Sequence, residues 1–320
     1  MSSKLILVLG CNGQDGSLIS HSLLKQGHSV IGLTRSKPNS SNNLSKLGIE
    51  KDIKIETGKI EDHKRLLQLF EKYQPEEVYN LASQSSVGRS FSEPSRTIES
   101  IVNGTLNTLE ICREINYSGR LFFAGSSEMF GETQGKADIN HVQKPNNPYA
   151  VAKQTSFKLV ELYREIYKLN CVTGVLFNHE SPLRTKNFVT QKIIDGAIKT
   201  LKDKSHRIKL GNIEISRDWG WAEEYVEAMQ VINRSKELKD HVICSGRLTS
   251  LREFLSKSYQ ALGLNWEEHV EINSSLKRET DIKTSVGNPL PLYNSLNWKA
   301  EIQIDKVIEL LINKKMKVYN

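Results

Sequence analysis

Two short clusters in this sequence carry side chains that could move protons on an alcohol. Tyr149 and Lys153 stand four residues apart in Pro148-Tyr149-Ala150-Val151-Ala152-Lys153, a spacing that brings both side chains to one face of a helix. A phenol so paired could take the proton of a hydroxyl group undergoing oxidation. Its ordinary pKa of about 10 suits it poorly to the task until neighbouring cations favour the phenolate. Upstream, Gly125-Ser126-Ser127-Glu128-Met129-Phe130-Gly131 follows an apolar run and supplies a hydroxyl and a carboxylate. Ser126 would orient the reacting oxygen by hydrogen bonding. Simple oxidation has no use for Glu128, so its presence points to a second proton transfer. Ser126, Glu128, Tyr149 and Lys153 are the candidate catalytic residues.

Oxidation also needs a hydride acceptor, and a phosphate-cradling turn near the amino terminus points to one. Gly10-Cys11-Asn12-Gly13-Gln14-Asp15-Gly16 follows a strand-like run and opens a helix that ends at Gly27. Glycines allow a tight turn and close approach of backbone to a pyrophosphate, while the helix amino terminus presents free N–H groups and a positive dipole end. Gly10, Asn12, Gly13, Gln14, Asp15 and Gly16 are therefore candidate contacts of a nicotinamide dinucleotide. After the second strand, where an acidic residue would bind a ribose 2′-hydroxyl, stand Thr34 and Arg35. An arginine there suits the 2′-phosphate of NADP, the expected cofactor.

The elements that must position these residues alternate. Apolar runs at 5–9, 30–33, 53–56, 78–81, 121–124 and 171–177 read as strands. Amphipathic stretches at 18–24, 66–70 and 101–115 read as helices, with another starting near Tyr149. Near-continuously apolar strands separated by helices predict a parallel sheet covered on both faces. The fold class is α/β, a Rossmann-type doubly wound sheet. After Asn178 the pattern loses regularity and reads as helices and loops capping the sheet's carboxyl edge, where ligands of such sheets bind. We expect residues 1–178 to bind NADP and 179–320 to form mainly a smaller substrate-binding lobe, with some segments returning to the first domain. Residues 36–45, rich in Ser and Asn, read as an exposed loop.

Composition narrows the partners. With 38% hydrophobic and 25% charged residues, the 320-residue chain belongs among globular proteins with a substantial core. No apolar stretch approaches the roughly 20 residues needed to span a bilayer, and Met-Ser-Ser-Lys leads into a strand-like run without a signal peptide's cleavage region. No membrane association and a cytoplasmic location are expected. Cys11, Cys112, Cys171 and Cys244 form no Cys-x-x-Cys pair and read as free, mostly buried thiols, with no metal site. The net charge of +7 favours anionic partners, but its cations are interspersed with carboxylates, which fits a nucleotide cofactor and a diphosphate substrate and gives no support to nucleic acid.

On seven ordered segments the chain resembles the GDP-mannose 4,6-dehydratase family of the extended short-chain dehydrogenase/reductase superfamily. They are Gly13-Gln14-Asp15-Gly16-Ser17, Asn80-Leu81-Ala82-Ser83-Gln84-Ser85, Ser126-Ser127-Glu128, Tyr149-Ala150-Val151-Ala152-Lys153, Leu176-Phe177-Asn178-His179-Glu180-Ser181-Pro182, Phe188-Val189-Thr190 with Lys192, and Arg217-Asp218-Trp219-Gly220. The resemblance implies an internal redox cycle on a GDP-hexose, most specifically GDP-mannose. Tyr149 removes the 4-hydroxyl proton as hydride leaves C4, Glu128 removes the acidified C5 proton and assists loss of the 6-hydroxyl as water, and hydride returns to C6. It further implies that Leu81, Ala82, Ser85, Lys153, His179 and Arg184 contact the cofactor, and that Ser85, Asn178, Lys192, Arg217 and Arg278 hold the sugar nucleotide, arginine forks suiting its diphosphate.

Some positions depart from that pattern. Ser126 stands where threonine is usual and keeps the hydroxyl. Gly58-Lys59-Ile60 stands where the family has glycine-aspartate-leucine, and lysine cannot accept the bond from adenine's amino group, so adenine recognition differs here. Ser86, Arg96 and Trp221 replace a histidine, a tyrosine and another histidine, which bears on the accepted hexose. The loop after Arg35, which in family tetramers reaches a neighbouring subunit's cofactor, lacks the family's second arginine and its Phe-Asn-Thr segment, leaving a homodimer or homotetramer open. A reductase or epimerase of a related GDP-sugar or GDP-heptose and a non-catalytic NADP-binding regulatory protein are the competing readings.

Overall fold

A computed structural model describes residues 2–37, 39, 42–276 and 281–319. The chain runs β1 (Leu5–Leu9), α1 (Gln14–Lys25), β2 (Ser29–Thr34), α2 (Asn43–Lys46), β3 (Lys54–Thr57), α3 (His63–Tyr73), β4 (Glu77–Asn80), α4 (Val87–Ser92), α5 (Pro94–Ile98), α6 (Gly104–Glu114), β5 (Arg120–Ser126), α7 (Pro148–Ile166) and β6 (Cys171–Leu176). It continues through β7 (Asn178–Glu180), α8 (Val189–Lys202), β8 (Ile208–Leu210), β9 (Ser216–Trp221), α9 (Ala222–Asn233), β10 (His241–Ile243), β11 (Leu248–Ser250), α10 (Leu251–Gln260), β12 (Val270–Ile272), β13 (Thr284–Ser285), α11 (Leu290–Leu296) and α12 (Ile304–Tyr319).

Continuous apolar strands need cover on both faces, and they receive it. In β1 the consecutive residues Ile6, Leu7, Val8 and Leu9 are all buried. Ile6 and Val8 pack with Ile19 of α1 and Val226 and Met229 of α9. Leu7 and Leu9 pack on the opposite face with Leu66 and Phe70 of α3 and Leu109 of α6. Seven parallel strands follow the order β10-β6-β5-β4-β1-β2-β3, so the doubly wound α/β class read from the sequence is the one observed. The chain winds outward from β1 to β3, then returns to lay β4 along the other side of β1. That reversal opens a crevice at the carboxyl ends of β1 and β4.

The chain after residue 178 does more than cap the sheet. Its short β10 pairs with β6 as the seventh strand, and α9 covers one sheet face. A three-residue strand leaves too little periodicity to be read from sequence. The remainder forms a lobe in which β9 pairs with β7, β11 and β13, and Ile193, Ile194, Trp219, Phe254, Val307 and Leu311 share a second core. Within the stretch 36–45, the residues from 43 form the short α2, capped by the Asn42 side chain. All four cysteines are free and buried, and among the described residues no helix is long and apolar enough to cross a membrane.

The turn after β1 is the tightest point of the frame. Gly10 has a φ of +83°, the left-handed region that glycine adopts readily. A Cβ at Gly16 would lie 2.1 Å from the Gly10 carbonyl oxygen. That oxygen already accepts from the Gly13 N–H, so neither backbone segment can yield alone. Gly16→Ala is expected to cost about 1–3 kcal/mol of stability, read as a lowered urea midpoint; an unchanged midpoint would show that α1 slides freely on the turn.

Candidate active site

The crevice at the switch point is a cleft of about 300 Å³ bordered by the first turn, the end of β2 and the segment after β4. Gly10, Asn12, Gly13, Arg35, Leu81 and Ala82, all candidates from the sequence, line it. Gly13 stands at the N-cap of α1 without a side-chain cap, so no capping side chain covers the helix start at this border of the cleft. A Cβ at Gly10 would come within 2.8 Å of Ala82 Cα, which is why the loops after β1 and β4 can meet. Closely approaching backbone, an uncapped helix start and the Arg35 cation at the far end fit a nicotinamide dinucleotide.

Gln14, Asp15 and Gly16 are not among the cleft-lining residues. Asp15 instead faces His179, both carboxylate oxygens lying 3.0 Å from its Nε2, while His179 Nδ1 lies 2.7 Å from the Phe177 carbonyl. Both ring nitrogens thus meet acceptors. Burial opposes the charge on Asp15, but the adjacent His179 and its hydrogen bond hold the carboxyl below its usual value. Gln14 completes the clamp by donating to the His179 carbonyl and accepting from the Ser181 hydroxyl at 2.9 Å. Arg184 donates to the same carbonyl at 2.5 Å and stacks on Phe188, its Cζ 3.8 Å from the ring centre. His179 and Arg184 therefore meet α1 and β7 in a polar joint beside the cleft.

The candidate proton-transfer residues gather at the carboxyl end of β5. Ser126 ends that strand and its hydroxyl accepts from the Glu128 N–H at 3.3 Å. Tyr149, in the first turn of α7, hydrogen bonds to Ser126; burial is the largest influence on its phenol and pushes it up to about 12. Lys153 lies one turn on, its ammonium 5.8 Å from the Tyr149 ring centre and 5.0 Å from that of Phe123. It donates to the Ala124 carbonyl at 2.8 Å and to the Ser83 hydroxyl at 3.3 Å, and burial lowers it to about 8. Neighbouring cations would favour the phenolate. Within the protein itself, burial outweighs them.

The substrate-side candidates are more scattered. Asn178 and Arg217 lie on the paired strands β7 and β9. The Arg217 side chain is buried and donates to the Ile282 carbonyl at 2.6 Å. Lys192 reaches the Lys209 carbonyl at 2.6 Å. Ser85 is exposed, one residue beyond the cleft-lining stretch 81–84, and Arg278 falls outside the described residues. Three residues escaped the sequence reading. Ser83 and Asn147 contact Lys153 and Glu128. Glu61 lines the cleft, and its Oε2 is buried without a hydrogen-bond partner, whereas Lys59 points to solvent.

Lys153 offers a test by pH. Below about pH 8 it is charged in both states, and the folded chain bears the full penalty of burying that charge. Between about 8 and its ordinary 10.5 the folded chain sheds the proton first, so stability from this group rises with pH; above that range the penalty is gone. Lys153→Met is therefore expected to be more stable than the parent below pH 8 and to lose that advantage by about pH 10.5. Denaturant midpoints across the range measure this, and a constant difference would contradict it.

Comparison with known proteins adds the lineage. The family model described as GDP-mannose 4,6 dehydratase matches residues 7–311. GDP-mannose 4,6 dehydratase 1 of Arabidopsis thaliana is 34% identical over 98% of this chain and 90% of its own. The human GDP-mannose 4,6 dehydratase is 32% identical over 97% and 91%. Among solved structures, a dTDP-glucose 4,6-dehydratase of Bacillus anthracis in complex with NAD superposes with a TM-score of 0.86, at 17% identity over 98% of this chain and 97% of that one. A UDP-glucose 4-epimerase of Thermotoga maritima with UDP-glucose reaches 0.88 at 21% identity over 99% and 100%. The full-length match, together with Ser126, Glu128, Tyr149 and Lys153 meeting at one sheet edge, shows that this chain belongs to the GDP-mannose 4,6-dehydratase family.

Proposed function

We propose that the protein dehydrates GDP-mannose to GDP-4-keto-6-deoxymannose, with NADP as a recycled hydride carrier. The observation that carries this reading is the placement of Glu128 at the end of β5, its backbone N–H on the Ser126 hydroxyl and its carboxylate close enough to act electrostatically on the Tyr149 phenol. A hydroxyl and a phenol suffice to oxidise an alcohol; the adjacent carboxylate adds what elimination needs.

A bound oxidised nicotinamide supplies the hydride acceptor, the later hydride donor and a positive charge that favours the phenolate. The protein's residues do the rest. Ser126 holds the sugar's 4-oxygen, and Tyr149 takes its proton as C4 becomes a ketone. The ketone acidifies the C5 proton, which Glu128 removes; the same carboxyl gives a proton to the departing 6-hydroxyl, and water leaves. As C6 takes back the hydride removed from C4, C5 regains a proton from the one that Tyr149 holds, so the sugar ends one water lighter and both side chains return to their starting states. Lys153 keeps the Tyr149 ring and the segment after β4 in register through Ala124 and Ser83. Residues 1–178, with α9 and β10, serve the dinucleotide, and the lobe built on β7, α8 and β9 serves the GDP-hexose, with Asn178, Lys192, Arg217 and Arg278 as its contacts.

Exposed Val151, Leu162 and Ile166 on α7 support self-association as a homodimer or homotetramer. A cytoplasmic setting belongs to the same reading.

Incubation with NADP and a panel of GDP-, UDP-, CDP- and dTDP-sugars should give a product lighter by one water from GDP-mannose; failure of the parent protein to form a 4-keto-6-deoxy product overturns the assignment. Glu128→Gln should slow water loss by about 10²-fold or more, yet leave cofactor reduction at C4 measurable. Arg35→Ala should weaken NADP binding in calorimetry by about tenfold and leave NAD nearly unaffected; equal losses for both would remove NADP as the preferred cofactor.

A further inference from the structure

We propose that Asn147 is a positioning residue that holds the Glu128 carboxylate in place for proton transfer by tying it to the helix that carries Tyr149. This rests on the reading of Glu128 as the acid-base group. Asn147 is 3% exposed and stands at the N-cap of α7. Its side chain accepts from the Ala150 N–H at 2.8 Å and donates to Glu128 Oε2 at 3.1 Å and to Asn146 Oδ1 at 3.0 Å.

The orientation of this amide is forced. A backbone N–H can only donate, so the atom facing Ala150 is the oxygen, and the NH₂ group must face Glu128. Its two hydrogens then serve the carboxylate and Asn146. The backbone prepares the same geometry. Asn147 is extended, with φ −149° and ψ 160°, as the residue before a proline prefers. Pro148 occupies the first helical position, where no N–H is needed.

These bonds close a ring. Ser126 receives the Glu128 N–H and bonds to Tyr149; Tyr149 lies two residues past Asn147 in the first turn of α7; Asn147 returns to Glu128. The two proton-transfer groups come from different elements, a 3₁₀ turn after β5 and the start of α7. Asn147 ties the Glu128 carboxylate itself to the start of α7. A helix cap alone requires only an acceptor, which Ser, Thr or Asp provides equally well. The donor aimed at a carboxylate is the feature that capping leaves unexplained.

Asn147→Asp separates the two roles. Aspartate has the same shape and keeps the cap, so the melting temperature is expected to stay within a few degrees of the parent. It exchanges the donor for a second carboxylate about 3 Å from Glu128, and two carboxylates that close do not both ionise. Water loss from GDP-mannose should then slow at least tenfold while oxidation at C4 continues. The near-ultraviolet absorbance of reduced nicotinamide, transient in the parent, should persist through turnover. Asn147→Ala, which loses cap and donor together, should lower the melting temperature and slow water loss as well.

Parent-like water loss in Asn147→Asp overturns the proposal. So does an equal slowing of cofactor reduction and water loss, which would make Asn147 a helix cap and nothing more. Glu128→Gln, run in parallel, keeps the two readings apart: if it loses water at the parent rate, the role of Glu128 itself is wrong, whereas slowed elimination in Glu128→Gln with parent-like Asn147→Asp removes only the positioning role.

Discussion

There is no room for a side chain between the first turn of α1 and the carbonyl of Gly10, and the rest of the cleft depends on that closeness. Because backbone touches backbone there, the start of α1 points into the crevice at the carboxyl ends of β1 and β4. The loop after β4 can then lie against Gly10 and bring Leu81, Ala82 and Ser83 to the same cleft. The same approach sets Asp15 where it meets His179. A steric constraint at one turn thus becomes an electrostatic clamp between the dinucleotide-type sheet and the strand that begins the second lobe.

Burial acts on Tyr149 and Lys153 in the same sense. It raises Tyr149 and lowers Lys153, so both are pushed toward their neutral forms. A phenol in that state is a poor base. Positive charge close by would favour its phenolate. The hydrogen bond from Ser126 acts the other way and favours the phenolate.

The cofactor end of the cleft changes the sequence reading most. Lys59 stands where the family resemblance calls for an acceptor, yet its side chain is exposed. Its neighbours Gly58, Ile60 and Glu61 border the cleft instead. The acidic side chain at that end is therefore two residues farther along, after β3 has ended. A shift of this kind leaves no trace in a motif aligned by position, because it depends on how the backbone turns between β3 and α3.

By itself the sequence determined the elements and the local motifs. Continuous apolar strands, the glycine turn and the four-residue step from Tyr149 to Lys153 are short-range features, dictated by steric and periodic rules that act within a few residues. The parallel doubly wound sheet, the candidate catalytic quartet and much of the cleft lining could be read from them. Tertiary structure alone decided what depends on long-range approach. β10 finds its place only by pairing with β6, Asp15 turns from the cleft to His179, 164 residues away, and Asn147 reaches Glu128 across 19 residues. Such contacts are set by chain reversals between elements, and no local propensity encodes them.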